Sequence, residues 1–211
     1  KAPFTSRMIV STTDKWGKHA EDALNGQKTP VTRLRVQDLE NSPIDWSEFS
    51  FKNPKHIKLK AKKKLREHQK IALTKVVDGL KAADRGKLIM ACGTGKTFTA
   101  LKIAEAMVPA TGCVLFLVPS ISLLSQTLRE WTAEAEVPMH SFAVCSDTKV
   151  GKKSDNEDIS AHDLAFPATT DAKKLATQVE AFTSKKRLVA IFSTYQSIKV
   201  IAEAQAKGLP E

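Results

Sequence analysis

Met90-Ala91-Cys92-Gly93-Thr94-Gly95-Lys96-Thr97 decides the reading of this 211-residue chain. An apolar run, Lys87-Leu88-Ile89-Met90, precedes it, and a helical pattern from Lys96 to Val108 follows and stops near Pro109. The first predicts a buried strand and the second a helix. A glycine-rich turn between strand and helix is a place where a chain can cradle phosphate. Gly93 and Gly95 let the backbone curl so that the N–H groups from Cys92 through Thr94 to Thr97 converge. The helix N-terminus adds its positive end. Lys96 supplies a point charge for the β- and γ-phosphates of a nucleotide, and the Thr97 hydroxyl can ligate Mg²⁺. The strict pattern GxxxxGK[ST] opens on glycine, where this chain has Met90. A GxGKT string arises by chance in a chain this long on the order of once in a hundred or less.

Outward from the loop, strands and helices alternate. A strand is expected over Cys113 to Val118 before Pro119, and a helix over Ile121 to Ala135 with Leu124, Leu128, Trp131 and Ala135 inward. A strand follows over Ser141 to Cys145. Residues Ser146 to Thr170 are polar and charged and read as a mobile loop. A helix over Asp171 to Ser184 buries Leu175, Val179 and Phe182. A strand over Leu188 to Phe192 leads into a helix from Tyr195 to Ala206. This alternation predicts an α/β fold with right-handed crossovers and a doubly wound, mainly parallel sheet. Both faces of the sheet would be covered, with ligands at the strand C-termini.

Towards the N-terminus, a helix carries Leu73, Val76, Val77, Leu80 and Ala83 on one face. Before it, Phe51 to Arg66 holds eight lysines and arginines, Lys52, Lys55, Lys58, Lys60, Lys62, Lys63, Lys64 and Arg66, and reads as a basic connector. The first fifty residues show a β-like run (Arg7 to Ser11), a helix with Trp16, Ala20 and Leu24 on one face closed by Gly26, and an alternating run (Val31 to Val36). That stretch is too small to bury a core alone. The expected division is therefore a fragment over 1–50, a basic linker over 51–64, and the phosphate-binding domain over 65–211.

Composition narrows the class. Hydrophobic residues are 42% and charged residues 27%, as in a soluble globular chain. The longest apolar run, Val114 to Val118, is far short of the roughly 20 residues of a membrane span. Lys1-Ala2-Pro3-Phe4 resembles neither a signal nor a transit peptide, and the absence of a starting Met suggests an internal cut. A net charge of +10 favours a polyanionic partner, although an inert basic surface accounts for charge alone. Cys92, Cys113 and Cys145 lack CxxC spacing, which argues for a reducing, cytoplasmic setting. His19, His56, His68, His140 and His162 lack metal-ligand spacing.

With these residues in view, the chain resembles the first motor domain, RecA-like in fold, of superfamily 2 helicases and translocases. Met90 to Thr97 is similar to motif I of the branch found in restriction-enzyme motor subunits, where a residue other than Gly commonly opens the loop. Leu65-Arg66-Glu67-His68-Gln69 resembles the adenine-recognising Q-type motif. It implies nucleotide contacts from Arg66 and Gln69, a Gln amide being able to donate to and accept from an adenine edge. Leu117-Val118-Pro119-Ser120 with Ser122 to Gln126 resembles motif Ia, which implies backbone contacts to DNA from Pro119, Ser120, Ser122 and Gln126. The alternative at Ser120 is a plain helix cap. Phe192-Ser193-Thr194-Tyr195-Gln196-Ser197 resembles a later motif touching the same strand, with Thr194 favoured and Tyr195 assignable to the core.

The resemblance implies ATP and Mg²⁺ as cofactors and DNA as a sequence-independent partner. No Asp-Glu pair occurs in the chain. The DExx motif of the family is thus expected beyond Glu211, as is the second motor domain with its arginine finger, and this chain would bind ATP without appreciable turnover. Arg7-Met8-Ile9-Val10-Ser11-Thr12-Thr13, Trp16, Ala20-Glu21 and Ser42-Pro43-Ile44-Asp45-Trp46 resemble the join between a restriction-endonuclease-like domain and the motor of large single-polypeptide restriction–modification enzymes. The leading expectation is an ATP-dependent DNA translocase module of a restriction or phage-defence enzyme, acting with the rest of its polypeptide. The alternatives are a repair or remodelling helicase, a P-loop kinase or GTPase, and a non-enzymatic nucleic-acid-binding module.

Overall fold

A computed structural model describes residues 6–13, 15–24, 27–29, 31–109, 111–145, 168–183 and 187–210. The elements are β1 (Arg7–Ser11), α1 (Lys18–Leu24), β2 (Val31–Arg35), α2 (Val36–Glu40), α3 (Glu67–Ala82), α4 (Lys96–Met107), β3 (Cys113–Val118), α5 (Ile121–Glu134), β4 (Met139–Val144), β5 (Ala168–Thr169), α6 (Ala172–Thr183), β6 (Leu188–Thr194) and α7 (Ile198–Gln205). A 3₁₀ turn, Tyr195–Ser197, joins β6 to α7. Of the loop expected over Ser146 to Thr170, residues 146–167 lie outside the described residues, as does Gly26, while Ala168–Thr169 pair with Ala143 and Val144 as the short strand β5 instead of continuing a loop.

The main sheet is parallel throughout, in the order β3-β6-β4-β5. Its centre is β6, Leu-Val-Ala-Ile-Phe-Ser-Thr, every residue of which is buried. Alternation along β6 feeds two cores. Ala190 and Phe192 pack with Phe98, Leu101 and Ala104 of α4 and with Leu124, Leu128 and Trp131 of α5. Val189 and Ile191 pack on the opposite face with Leu175, Ala176 and Val179 of α6 and with Ile201 and Ala204 of α7. β4 divides likewise, Ala143 one way, Phe142 and Val144 the other. This is the doubly covered parallel sheet that a near-continuous apolar strand requires. β6 runs two residues past its expected end because Thr194 still pairs with Val118 of β3.

One expected strand is not there. Lys87 to Met90 forms no ladder, and Leu88 and Ile89 are 42% and 90% exposed. An apolar run becomes a strand only when another strand accepts its hydrogen bonds. Among the described residues none lies beside it, so the phosphate-binding loop follows an extended, solvent-facing segment.

The N-terminal elements form a separate two-stranded parallel sheet, β1 beside β2, with α1 as the crossover. Leu24, Val31, Thr32 and Arg33 are its buried residues, and the Arg33 guanidinium lies 4.8 Å from the centre of the Trp16 ring. The basic connector is not a free tether. Ile44 and Leu59 form an antiparallel bridge, flanked by bonds from the Asp45 N–H to the Lys58 carbonyl and from the Lys60 N–H to the Pro43 carbonyl, each 2.8 Å. Lys60 Nζ donates to the carbonyls of Glu40 and Ser42. Lys62 Nζ donates to the Ala135 carbonyl, and Lys63 reaches Glu130 at 2.9 Å on α5 while its N–H donates to Glu134. Arg129 of α5 pairs with the buried carboxylate of Asp38 on α2. Lys62 and Lys63 thus seat the end of this segment on α5.

Candidate nucleotide site and nucleic-acid face

The loop at 91–95 turns through two left-handed glycines, Gly93 at φ +74° and Gly95 at φ +80°. A side chain at either is strained. At Gly95 a second reason applies, since a Cβ there would stand 2.4 Å from Gln69 Nε2. At Gly93 a Cβ would meet nothing within 4 Å, so only its backbone conformation asks for glycine. Gly95 is the N-cap of α4, and the first turn of a helix presents N–H groups with no helical partner. Thr94 holds the curl by donating its hydroxyl to the Ala91 carbonyl at 2.7 Å. Lys96 is exposed, and its Nζ donates back across the loop to the carbonyls of Ala91 at 3.1 Å and Met90 at 3.4 Å. Those two neutral acceptors leave its charge uncompensated for an incoming phosphate. Cys92 is an exposed free thiol on the same turn.

Gln69 sits against this loop, 4% exposed, in the first turn of α3. Its Oε1 accepts from the Arg66 N–H at 2.8 Å, and its Nε2 donates to the Thr94 carbonyl at 3.0 Å. The amide thus ties α3 to the phosphate-binding loop, with one Oε1 lone pair still unused. His68 adds a contact to the same Thr94 carbonyl at 3.1 Å. Arg66 is exposed at the start of α3. Gln69 and the loop thus lie together in space, with the Gln69 amide facing the loop.

For Mg²⁺ the donor set is sparse. Among the described residues no group of three or more His, Cys, Asp or Glu side chains could hold a metal. Thr97, partly exposed at the start of α4, offers a hard hydroxyl oxygen. That suits a cation that keeps waters and takes most of its remaining ligands from phosphate oxygens.

The nucleic-acid candidates gather at one end of the sheet. Val118 and Thr194 are register partners, so the turns after β3 and β6 emerge side by side. Ser120 is the N-cap of α5, accepting the Leu123 N–H at 3.3 Å, so the plain cap is part of its role. Pro119 and Gln126 are exposed and Ser122 is partly so. Thr194 is 4% exposed and donates its hydroxyl to Ser197 Oγ at 3.2 Å. Tyr195, which the sequence allowed as a core residue, is 55% exposed beside it. At that turn the outward side chains are Tyr195 and Gln196, a reversal that follows from β6 extending to Thr194.

Sequence reasoning missed Trp131 as anything beyond core. Its Nε1 donates to the Thr97 carbonyl at 3.0 Å, a partner 34 positions away that no local pattern announces. His68 was overlooked for a simpler reason: its partner depends on where α3 meets the loop.

Residues 62–210 match the family model described as type III restriction enzyme, res subunit, which covers well over half of the chain. The chain belongs to this res-subunit family. Residues 1–56 match a second family model, described as restriction endonuclease. Among solved structures, the res-subunit chain is similar over its whole length to the ATP-dependent Type ISP restriction-modification enzyme LlaBIII bound to DNA, with 44% identity and a TM-score of 0.88. Over 71% of its length it is similar to a nuclease-deletion mutant of the Type ISP restriction-modification enzyme LlaGI in complex with a DNA substrate mimic, with 47% identity and a TM-score of 0.58. The chain spans 14% of the length of each. No curated protein matches it. Among the described residues, no helix is long and apolar enough to cross a membrane.

Proposed function

We propose that this chain is the nucleotide-binding half of the first motor domain of an ATP-dependent DNA translocase in a restriction–modification enzyme. The observation that carries the reading is the convergence of Gln69, the two left-handed glycines, Lys96 and Thr97 on one loop at the head of α4. ATP occupies that loop, its phosphates on the amides from Cys92 to Thr97 and on Lys96, its adenine beside Gln69 and Arg66. Thr97 would hold Mg²⁺, which would supply charge neutralisation at the phosphates. DNA backbone runs over the side-by-side turns, contacted by Pro119, Ser120, Ser122 and Gln126, with Tyr195 and the Thr194 backbone at the second turn. Residues 65–211 form the motor part, 51–64 the basic segment seated on α5, and 1–50 the end of a nuclease-like domain. Hydrolysis in the full-length cytoplasmic enzyme draws its carboxylates and arginine from other parts of the polypeptide.

The test is Lys96→Ala. Lys96 is exposed and bonds only loop carbonyls, so the melting temperature stays near wild type, within the small range of surface substitutions. Calorimetric titration is expected to show Mg·ATP affinity falling at least about tenfold, since hydrogen bonds from a charged group contribute about 1.5–3 kcal/mol. Unchanged ATP affinity in the folded variant rejects the assignment of the loop.

A further inference from the structure

Trp131 is 1% exposed, yet it does more than fill space. Its ring is packed edge-on against Phe116 of β3 at 5.2 Å and against Phe192 of β6 at 5.3 Å between centroids. Those are the two strands whose C-terminal turns form the nucleic-acid face. Its one polar atom, Nε1, leaves this apolar cluster to donate to the carbonyl of Thr97 in the first turn of α4. A helical carbonyl has two lone pairs, and only one is needed for the bond within the helix. The second is filled from α5, from the other side of the loop that Gln69 braces. The first turn of α4 is therefore pinned twice, by Gln69 at Gly95 and Thr94 and by Trp131 at Thr97.

We propose that Trp131 is a positioning residue for the cation half of the nucleotide site. Its indole N–H fixes the turn of α4 that aims the Thr97 hydroxyl, and its ring fixes that turn to the strands carrying the DNA-facing loops. Without the N–H, the Thr97 backbone is held only by its own helix, and the hydroxyl samples orientations that do not meet the cation. Lys96 Nζ and the loop before α4 have partners of their own, the carbonyls of Ala91 and Met90 and the Gln69 amide. The defect should thus be larger when the divalent cation contributes to binding. This inference rests on the reading of the loop as a Mg·nucleotide site.

The experiment replaces Trp131 in the full chain in two ways, Trp131→Phe and an isosteric benzothienylalanine at 131 that keeps ring shape but has no N–H. Binding of a fluorescent ATP analogue is measured with Mg²⁺ and with EDTA, and unfolding is followed in parallel. In both variants the affinity with Mg²⁺ should fall about two- to tenfold, the range of one hydrogen bond, while the affinity in EDTA falls by clearly less. The benzothienylalanine protein should melt close to wild type. Equal losses with and without Mg²⁺, or a Mg²⁺ dependence identical to wild type, would overturn the positioning role. Wild-type protein that binds no nucleotide would overturn the site itself, and is distinguished from those two outcomes by needing no variant.

Discussion

Two apolar runs, Leu188–Phe192 and Lys87–Met90, look alike on paper and end differently. The first is the centre of β6, paired on both sides and covered on both faces. The second is extended, unpaired and largely exposed, with Ile89 at 90%. Hydropathy is not what separates them; the neighbours are. β6 has β3 on one edge and β4 on the other, so its backbone groups are satisfied and its side chains find partners. The segment before the loop has neither, and its stability contribution should be correspondingly small.

The largest expected effect would break that contrast if it failed. Phe192→Ala removes a fully buried ring from the cluster with Phe116 and Trp131 and should cost about 3–5 kcal/mol. Ile89→Ala should stay within about 0.5 kcal/mol, as for surface sites. Denaturant melts of the two variants compare them directly. A comparable loss at Ile89 would mean that the segment is buried in solution.

A smaller effect sharpens the same lesson at the connector. By composition, 51–64 reads as a solvated basic linker, and only its neighbours reveal a seated segment. Asp38 is buried between Arg35 and Arg129, at side-chain exposures of 15% and 22%. Asp38→Asn removes the carboxylate charge that both guanidiniums face, and should cost about 2 kcal/mol, below the roughly 3–5 of a fully buried pair. A double-mutant cycle with Arg129→Met should return a coupling energy above about 0.5 kcal/mol. A value near zero would show that this pair does not hold α2 on α5.

What the sequence made legible was what depends on near neighbours. The loop, its helix, the strands β3, β4 and β6 and the apolar faces of α5 and α6 follow from local periodicity and from residues within one turn of each other. So did the separate β-like runs and helix at the N-terminus, although not the parallel pairing of β1 with β2. What it hid depends on residues far apart in the chain. Lys62 and Lys63 find their acceptors 67 to 73 positions away on or beside α5. Trp131 finds Thr97 across two helices. Thr194 and Tyr195 exchanged expected places because β6 pairs with β3 two residues further than hydropathy suggests, burying the threonine and leaving the tyrosine at the rim. Gln69 was singled out only through the resemblance, and its bonds to Thr94 and Gly95 depend on the close approach that glycine at 95 permits.

The smallest effect lies wholly within local reach. Asp171 caps the start of α6, accepting the Lys174 N–H at 3.0 Å, and that backbone bond holds its carboxyl below the ordinary 3.8. A depressed carboxylate contributes stability that is present above the unfolded value and is lost as pH falls through the folded one. A slight fall in melting temperature is expected as pH drops below 3.8, and Asp171→Asn, which keeps a cap without the titration, should flatten that part of the profile. An unchanged profile would show that the cap charge is not felt.

The three cysteines sample both kinds of region and offer the most direct test of the nucleotide site. Cys92 is exposed on the loop, Cys145 is buried in the core, and burial pushes the Cys113 thiol up to about 11. With a maleimide at neutral pH, followed by mass spectrometry of the peptides, Cys92 should be modified well before the other two. Saturating Mg·ATP should slow its modification at least severalfold, and Mg·GTP should do so less if Gln69 reads the base. A Cys92 rate indifferent to ATP, in protein whose Cys113 and Cys145 remain protected, would contradict the placing of the nucleotide on this loop.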